Sequence, residues 1–293
     1  MILGVQNYPK AIVPLSGIAC LCFLLFTGGS PTNSQILAHA PGISEPVASD
    51  SGVLYVGEEL TYNVSYASID IGQVRIKILE KVVAGGKNYY KGIAYIDSYS
   101  GIPFVNLHVI YESLIDENIF SQGFRSRVKD DAKWYETVYE YNYPAKRMYF
   151  RKGWLGSNKV EVRDSLTLDT LYQDGLSLYY YARRNLRLGR SIVIPTVIRE
   201  EKVRTVIKFY NKRTSAEIDA VNYPVDVIEF EGNAEFVGVF GLTGEFQGWF
   251  SNDNAMVPIL AKMKVILGNI RVELMKWKRP GWKPPQYTEK TTK

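Results

Sequence analysis

The residues best placed to do chemistry are four carboxylates. Asp164, Asp169 and Asp174 lie close together in the chain, and Asp253 follows the aromatic run F-Q-G-W-F. Two acids held at a set separation across a cleft suffice to hydrolyse a glycosidic bond, one protonating the leaving oxygen while the other acts as base or nucleophile. The same spacing also suits solvated loops and a helix cap. Other chemistries lack their parts. Of the two histidines, His39 lies ahead of the strand-forming region, and His108 alternates with Leu107 and Val109 as a solvated strand residue does. The sequence has no G-x-S-x-G to supply a serine nucleophile. It also has no G-x-x-x-x-G-K-[ST] or G-x-G-x-x-G phosphate loop, and G-V-F-G-L-T-G at 238–244 runs into a strand signal rather than a helix. Cys20 and Cys22 fall in an N-terminal apolar run, so the mature chain is expected to have no disulfide and no thiolate nucleophile or metal site. The expectation is a protein without catalytic residues, metal or cofactor.

Rings are the richer resource. The chain carries 21 tyrosines, whose half-apolar, half-polar side chains suit a pleated surface with one dry and one wet face. Tyr139, Tyr141, Tyr179, Tyr180 and Trp249 are the candidates for lining a ligand site, with rings as apolar walls and hydroxyls as polar anchors. The alternative for each is simply to fill the core. Trp154 and Trp249 would also suit stacking on a sugar ring.

Strands must position most of these rings. Leu60, Tyr62, Val64 and Tyr66 alternate with polar residues, and Val74, Ile76 and Ile78 alternate with Arg75 and Lys77. Period two buries one face and wets the other, and Gly72 is expected at the tight turn between the two runs. Further strands are expected at 89–99, 104–112, 123–130, 133–142 and 145–150. The same grammar resumes at 191–197, 200–211, 222–231, 244–250, 256–266 and 269–276. One segment breaks the rhythm. In D-G-L-S-L-Y-Y-Y-A-R-R-N-L, Leu176, Tyr179, Tyr180 and Arg183 recur at helical spacing, with Asp174 as N-cap and Arg183 and Arg184 at the negative end. The expected fold is therefore mainly β: a curved antiparallel sheet or half-barrel wrapped around one short helix.

The termini carry a different message. Lys10 precedes an uncharged run, A-I-V-P-L-S-G-I-A-C-L-C-F-L-L-F, followed by T-G-G-S-P. A positive start, an apolar middle and small residues are the order of an export signal, and the run with Pro14 falls short of the roughly 20 residues a spanning helix needs. Residues 1–40 are thus expected to be signal and processing region, 41–52 a linker, 53–277 one β-rich domain and 278–293 a basic, proline-rich tail. A lipoprotein signal ending at Cys20 is the weaker alternative, because Gly17 stands where an aliphatic residue is usual. The expected location is the periplasm or the outer membrane. The formal charge of +5 is confined to the end of the chain, where Lys276, Lys278, Arg279, Lys283, Lys290 and Lys293 face only Glu289. No basic stripe lies on the folded part, which argues against nucleic acid. The tail is expected to be a solvated end that could touch an anionic envelope surface.

I-G-Q-V-R-I-K-I at 71–78 and L-G-N-I-R-V-E-L at 267–274 share one pattern. Shared strand geometry explains it more cheaply than duplication, with Gly268 at a reversal and Arg271 and Glu273 facing water. These two segments, with L-Y-Q-D-G-L-S-L-Y-Y-Y-A-R-R and G-E-F-Q-G-W-F-S-N-D-N-A-M-V-P-I-L, resemble in order the exported bacterial family catalogued as domain of unknown function 3108, over roughly residues 53–277. The resemblance implies an envelope protein, β-rich around a short helix, and brings no established activity. The family-like positions are Gly57, Tyr62, Gly72, Asp174, Trp249, Asp253, Pro258 and Gly268, most with turn, cap or strand-end readings. The first functional expectation is a non-catalytic binding or carrier module for a hydrophobic ligand such as a lipid. The alternatives are a structural or interaction protein of the envelope, and a glycan- or lipid-directed hydrolase using carboxylates.

Overall fold

The structure is a computed structural model that describes residues 52–102, 106–157, 159–234, 244–265 and 268–289; the signal and linker expectations fall outside it. The first eight strands are β1 (Glu59–Tyr66), β2 (Ile69–Ala84), β3 (Lys87–Ser98), β4 (His108–Asp116), β5 (Ser121–Asp130), β6 (Lys133–Asn142), β7 (Arg147–Trp154) and β8 (Val162–Thr167). Helix α1 (Gly175–Arg184) follows. Then come β9 (Ser191–Ile198), β10 (Glu201–Ala216), β11 (Val225–Ala234), β12 (Gly244–Ser251), β13 (Pro258–Val265) and β14 (Gly268–Lys278). All 14 strands form one antiparallel sheet in the order β8-β7-β6-β5-β4-β3-β2-β1-β14-β13-β12-β11-β10-β9. It is a large, curved and unclosed sheet whose free edges, β8 and β9, flank the helix in sequence.

The two similar octapeptides meet at the centre. Both pair with β1: Tyr62 lies opposite Val74 on one side and Leu274 on the other, and Val64 lies opposite Gly72 and Val272. Identical neighbours impose identical demands, which is why the pattern recurs. Gly72 does not make the turn, however. The reversal falls at Ala67 and Ser68, both at positive φ, which gives the backbone twist that a two-residue hairpin requires. Gly72 sits at a register shift inside β2, where a Cβ would come within 2.5 Å of the Asp97 carbonyl oxygen. Its role is close strand approach.

Two other expectations shift. Strand β8 was not anticipated, because V-R-D-S-L-T is an edge strand half-exposed on both faces and shows no alternation. Strand β4 runs on to Asp116, because Ser113 occupies a buried-face position and so hides the continuing pattern.

The helix lies within the curve, with both faces buried. Leu176 and Tyr180 join the large cluster that includes Leu60, Tyr62, Ile76, Tyr111 and Leu274. Leu178 and Ala182 join a second cluster with Ile194, Phe209, Phe230 and Phe250. Spacings of four residues give each cluster one stripe of the helix. Gly92 of β3 allows the approach, since a Cβ there would meet Leu176 Cδ2 at 3.3 Å. On the wet face, Arg125, Arg127 and Arg151 share Glu112 and Glu136 in a cross-strand ion lattice.

The described part of the tail, up to residue 289, does not trail in solvent. Asp226 N donates to the Pro285 carbonyl at 2.7 Å, Tyr287 N to the Pro224 carbonyl at 2.8 Å, and Trp282 Nε1 to Asp253 Oδ2 at 2.7 Å. Its prolines present carbonyls that these donors need, and its rings cover Trp277 and Arg213. The outer side of β14 is covered too. Glu273 is 9% exposed and accepts from Asp219 N at 2.5 Å, so it does not face open water.

Candidate functional site

The site begins where the sheet fails to close. Between β8 and α1, Gln173 pairs with β9 through its backbone alone: its N–H donates to the Pro195 carbonyl at 2.9 Å, and its carbonyl accepts from Val197 N–H at 2.8 Å. Two residues beyond Val197, the β9–β10 turn at Arg199 and Glu200 takes positive φ at both positions, an arrangement that side chains with a Cβ resist. Glu200 is held there by β6 and β7. Tyr139 donates its hydroxyl to Glu200 Oε1 at 2.6 Å, and Lys152 Nζ contacts Glu200 Oε2. Lower on the seam, Asp169 accepts from the Tyr172 hydroxyl at 2.6 Å and from Lys202 Nζ at 3.2 Å. Side-chain pairs thus join the two edges in place of a strand ladder.

Polar atoms without partners collect along this seam. Gln173 is 0% exposed, yet neither its amide oxygen nor its amide nitrogen has a hydrogen-bond partner, and the same holds for Arg199 Nε. Tyr141 lies two residues from Tyr139 on the same face of β6. Ser121 donates its proton to Asp174 Oδ2 at 2.5 Å, and its oxygen keeps lone pairs that draw the Tyr141 proton, so of the Tyr141 and Gln173 side chains only Gln173 has nothing to bond. Burial first, then the Glu200 charge, pushes the Tyr139 phenol well above its ordinary range. Burial first, then Asp174, does the same to Tyr141. Both phenols therefore stay protonated as donors. Asp169 is exposed, and the Tyr172 hydroxyl, then Lys202, hold its carboxyl below the usual range.

Tyr139 and Tyr141 come together at the seam, and the other sequence candidates go elsewhere. Tyr179 and Tyr180 stack edge to face at 4.9 Å on the helix, where the Tyr179 hydroxyl bonds that of Tyr62 at 2.9 Å. Trp249 lies on the outer face of β12 beneath Lys262. The carboxylates are engaged. Asp174 caps α1, accepting from Leu176 N and Ser177 N through Oδ1 and from Ser113 and Ser121 through Oδ2, while Ser177 Oγ accepts from Asp174 N. Asp253 closes a turn, accepting from Ala255 N, Met256 N and Ser251 Oγ besides Trp282. Pro258 opens β13 and Gly268 opens β14. His108 pairs with Asp97 at 2.8 Å. Sequence reading missed Lys152, Gln173 and Glu200 as partners; nothing in strand periodicity couples positions that far apart.

A buried ion network sits beside the helix. Glu58 receives Arg183 Nη1 at 2.6 Å, Arg183 Nη2 at 3.1 Å and Arg279 Nη1 at 2.5 Å. Arg183 also donates to the Ala255 and Met256 carbonyls. Burial alone would lower the Arg183 pKa, but the Glu58 carboxylate more than offsets it and the guanidinium stays charged. Three chain regions are thereby tied to one carboxylate.

These features define an unclosed antiparallel sheet plugged by a helix, its edges latched by side chains. The chain belongs to the family described as protein of unknown function (DUF3108), whose model matches residues 61–275. Solved structures similar to it include a beta-barrel-like protein of domain of unknown function DUF1849 from Brucella abortus, 11% identical over 76% of this chain and 97% of that chain, TM-score 0.47. Another is a predicted exported protein with a YmcC-like fold from Bacteroides fragilis, 10% identical over 76% of this chain and 96% of that chain, TM-score 0.33. No curated protein matches the chain. Among the described residues, no helix is long and apolar enough to cross a membrane, and no group of three or more His, Cys, Asp or Glu could hold a metal.

Proposed function

We propose that the protein is an exported, non-catalytic binding or carrier module of the bacterial cell envelope that takes a hydrophobic ligand, such as a lipid, at the seam. The observation carrying this reading is the fully buried Gln173 side chain, whose amide oxygen and nitrogen both lack a partner where the sheet is latched by side chains. An unpaired buried polar group costs about 1–3 kcal/mol, and a ligand head group would relieve that cost. Tyr139, Phe124 and Phe150 pack together in the same wall, all three buried, so a ligand body would reach their rings only on opening of the latch. Export rests on the N-terminal Lys10 and the apolar run behind it. The exposed Lys276, Lys278 and Lys283 would supply contact with an anionic envelope surface.

Native mass spectrometry and solvent extraction of the full-length protein, purified without detergent, test the reading. A lipid-sized adduct is expected on the wild type and a depleted one on the Gln173→Leu variant. That variant should be at least as stable as the wild type, because it deletes a group that stability alone does not favour. Repeated recovery of the bare wild-type protein would overturn the proposal. A second reading, an interaction protein of the envelope, draws on edge strand β8, which has a strand neighbour on one side only and whose Val162 is 40% exposed. Cross-linking through β8 to a partner strand would favour it.

A further inference from the structure

The outer face of the sheet carries a second concavity. The loop at residues 217–224 arches over β12, β13 and β14. Arg271 Nη2 donates to the Glu217 carbonyl at 3.0 Å, Asp219 N donates to Glu273 at 2.5 Å, and the Tyr223 hydroxyl donates to the Pro284 carbonyl at 2.8 Å. Beneath the loop lies a groove of about 810 Å³. Four adjacent strands, β11 to β14, supply its floor: Glu229 stands opposite Trp249, Trp249 opposite Leu260, and Lys262 opposite Arg271.

The charges on that floor are arranged against their own stability. Like charges directly opposite across a strand pair repel, and Glu273, two residues along β14, is bonded to Arg271. Lys262 has no carboxylate partner among the described residues, and its ammonium stands 5.5 Å from the Trp249 ring centroid. Glu229, also on the floor, is fixed by Gln247 at 2.6 Å through Oε1 and by Lys212 Nζ at 3.3 Å through Oε2, with lone pairs left to accept. Exposed Glu217 and Asp219 stand at the rim. The groove therefore offers one flat aromatic surface, cationic donors, carboxylate acceptors and a lining that is mostly polar. A lipid tail would meet the wrong lining. A ring with a C–H face and several hydroxyls meets each group in turn: Lys262 swings off the indole to donate to a hydroxyl, the C–H face takes its place there, and other hydroxyls accept from Arg271 and donate to Glu229.

We propose that this outer groove is a saccharide-binding site, with Trp249 as the stacking platform and Lys262 and Arg271 as hydroxyl-directed donors. Its volume lies within the range of small-molecule sites. It shares no residue with the seam, so the two sites stand or fall separately. The full-length protein is applied to an array of immobilised mono- to tetrasaccharides, and the best-bound free sugar is then titrated calorimetrically. Saturable binding is expected, weakened about ten-fold or more by Trp249→Ala and several-fold by Lys262→Ala. Trp249→Phe, which keeps a ring and the packing over Leu260, should retain part of the affinity, separating loss of the platform from unfolding. Gln173→Leu should leave sugar binding unchanged. A wild type that binds no sugar on the array, or binding undiminished in Trp249→Ala, would overturn the site and leave the seam reading untouched.

Discussion

Glu58 is the residue on which most long-range ties converge. It binds Arg183 from the helix and Arg279 from the tail, and all three side chains are largely removed from water. Breaking such a network by deleting one partner costs more than never having built it, because the remaining charges lie buried and uncompensated. Glu58→Ala is expected to lower stability by about 3–5 kcal/mol, read from the denaturant midpoint at unchanged m-value. A loss below about 1 kcal/mol would mean that solvent reaches the site.

Asp174 offers a test of sign. Burial raises its carboxyl above the ordinary 3.8 despite the donors from Ser113, Ser121, Ser177 and Leu176. A group whose folded pKa exceeds its unfolded one contributes stability that is full below the unfolded value and lost as pH climbs through the folded value. The unfolding free energy of wild type minus that of Asp174→Asn should therefore fall as pH rises above about 4, measured by urea unfolding at successive pH values. A difference that stays flat or increases refutes the assignment.

At the scale of elements, two strand glycines should behave differently when given a methyl group. At Gly72 the added Cβ would meet a backbone oxygen at 2.5 Å, and a strand held by ladders on both sides cannot shift one carbonyl alone. Gly72→Ala should cost about 1–3 kcal/mol. At Gly92 the nearest atoms are the ends of Leu176 and Tyr180 at 3.3 and 3.6 Å, which can give by a few tenths of an ångström. The lower chain entropy of alanine partly offsets that shift, so Gly92→Ala should cost less than about 1 kcal/mol. Equal losses at both positions, measured by thermal or denaturant unfolding, would contradict the contrast.

For the whole molecule, stability should run from the centre of the sheet to its seam. Strand β1 is paired on both sides, so the two ends of the domain meet in its best-protected part, while β8 and β9 each have one strand neighbour. Local opening draws on the regions with least burial and fewest ladder bonds. Hydrogen exchange read by mass spectrometry should find β1, β2 and β14 slowest and β8 and β9 fastest. Glu200→Gln weakens the contact with Lys152 and should speed exchange over residues 191–205 while leaving 59–66 unchanged. Acceleration at the centre instead would mean that the seam and the core open together.

What the sequence by itself determined is whatever depends on neighbours along the chain. Alternation of Tyr135, Thr137, Tyr139 and Tyr141 with polar residues marked β6 at its observed bounds, and the spacing of Leu176, Tyr180 and Arg183 marked the helix. Those signals are local because the pleat and the helical turn are local. The tertiary structure alone decided that the octapeptides flank one strand, that Gly72 serves a close approach, and that the tail docks on β11. It alone brought Tyr139 to Glu200 and Lys152, and left the Gln173 side chain buried without a partner. Each of these depends on the curvature of the sheet bringing distant edges together, and no spacing along the chain encodes that curvature.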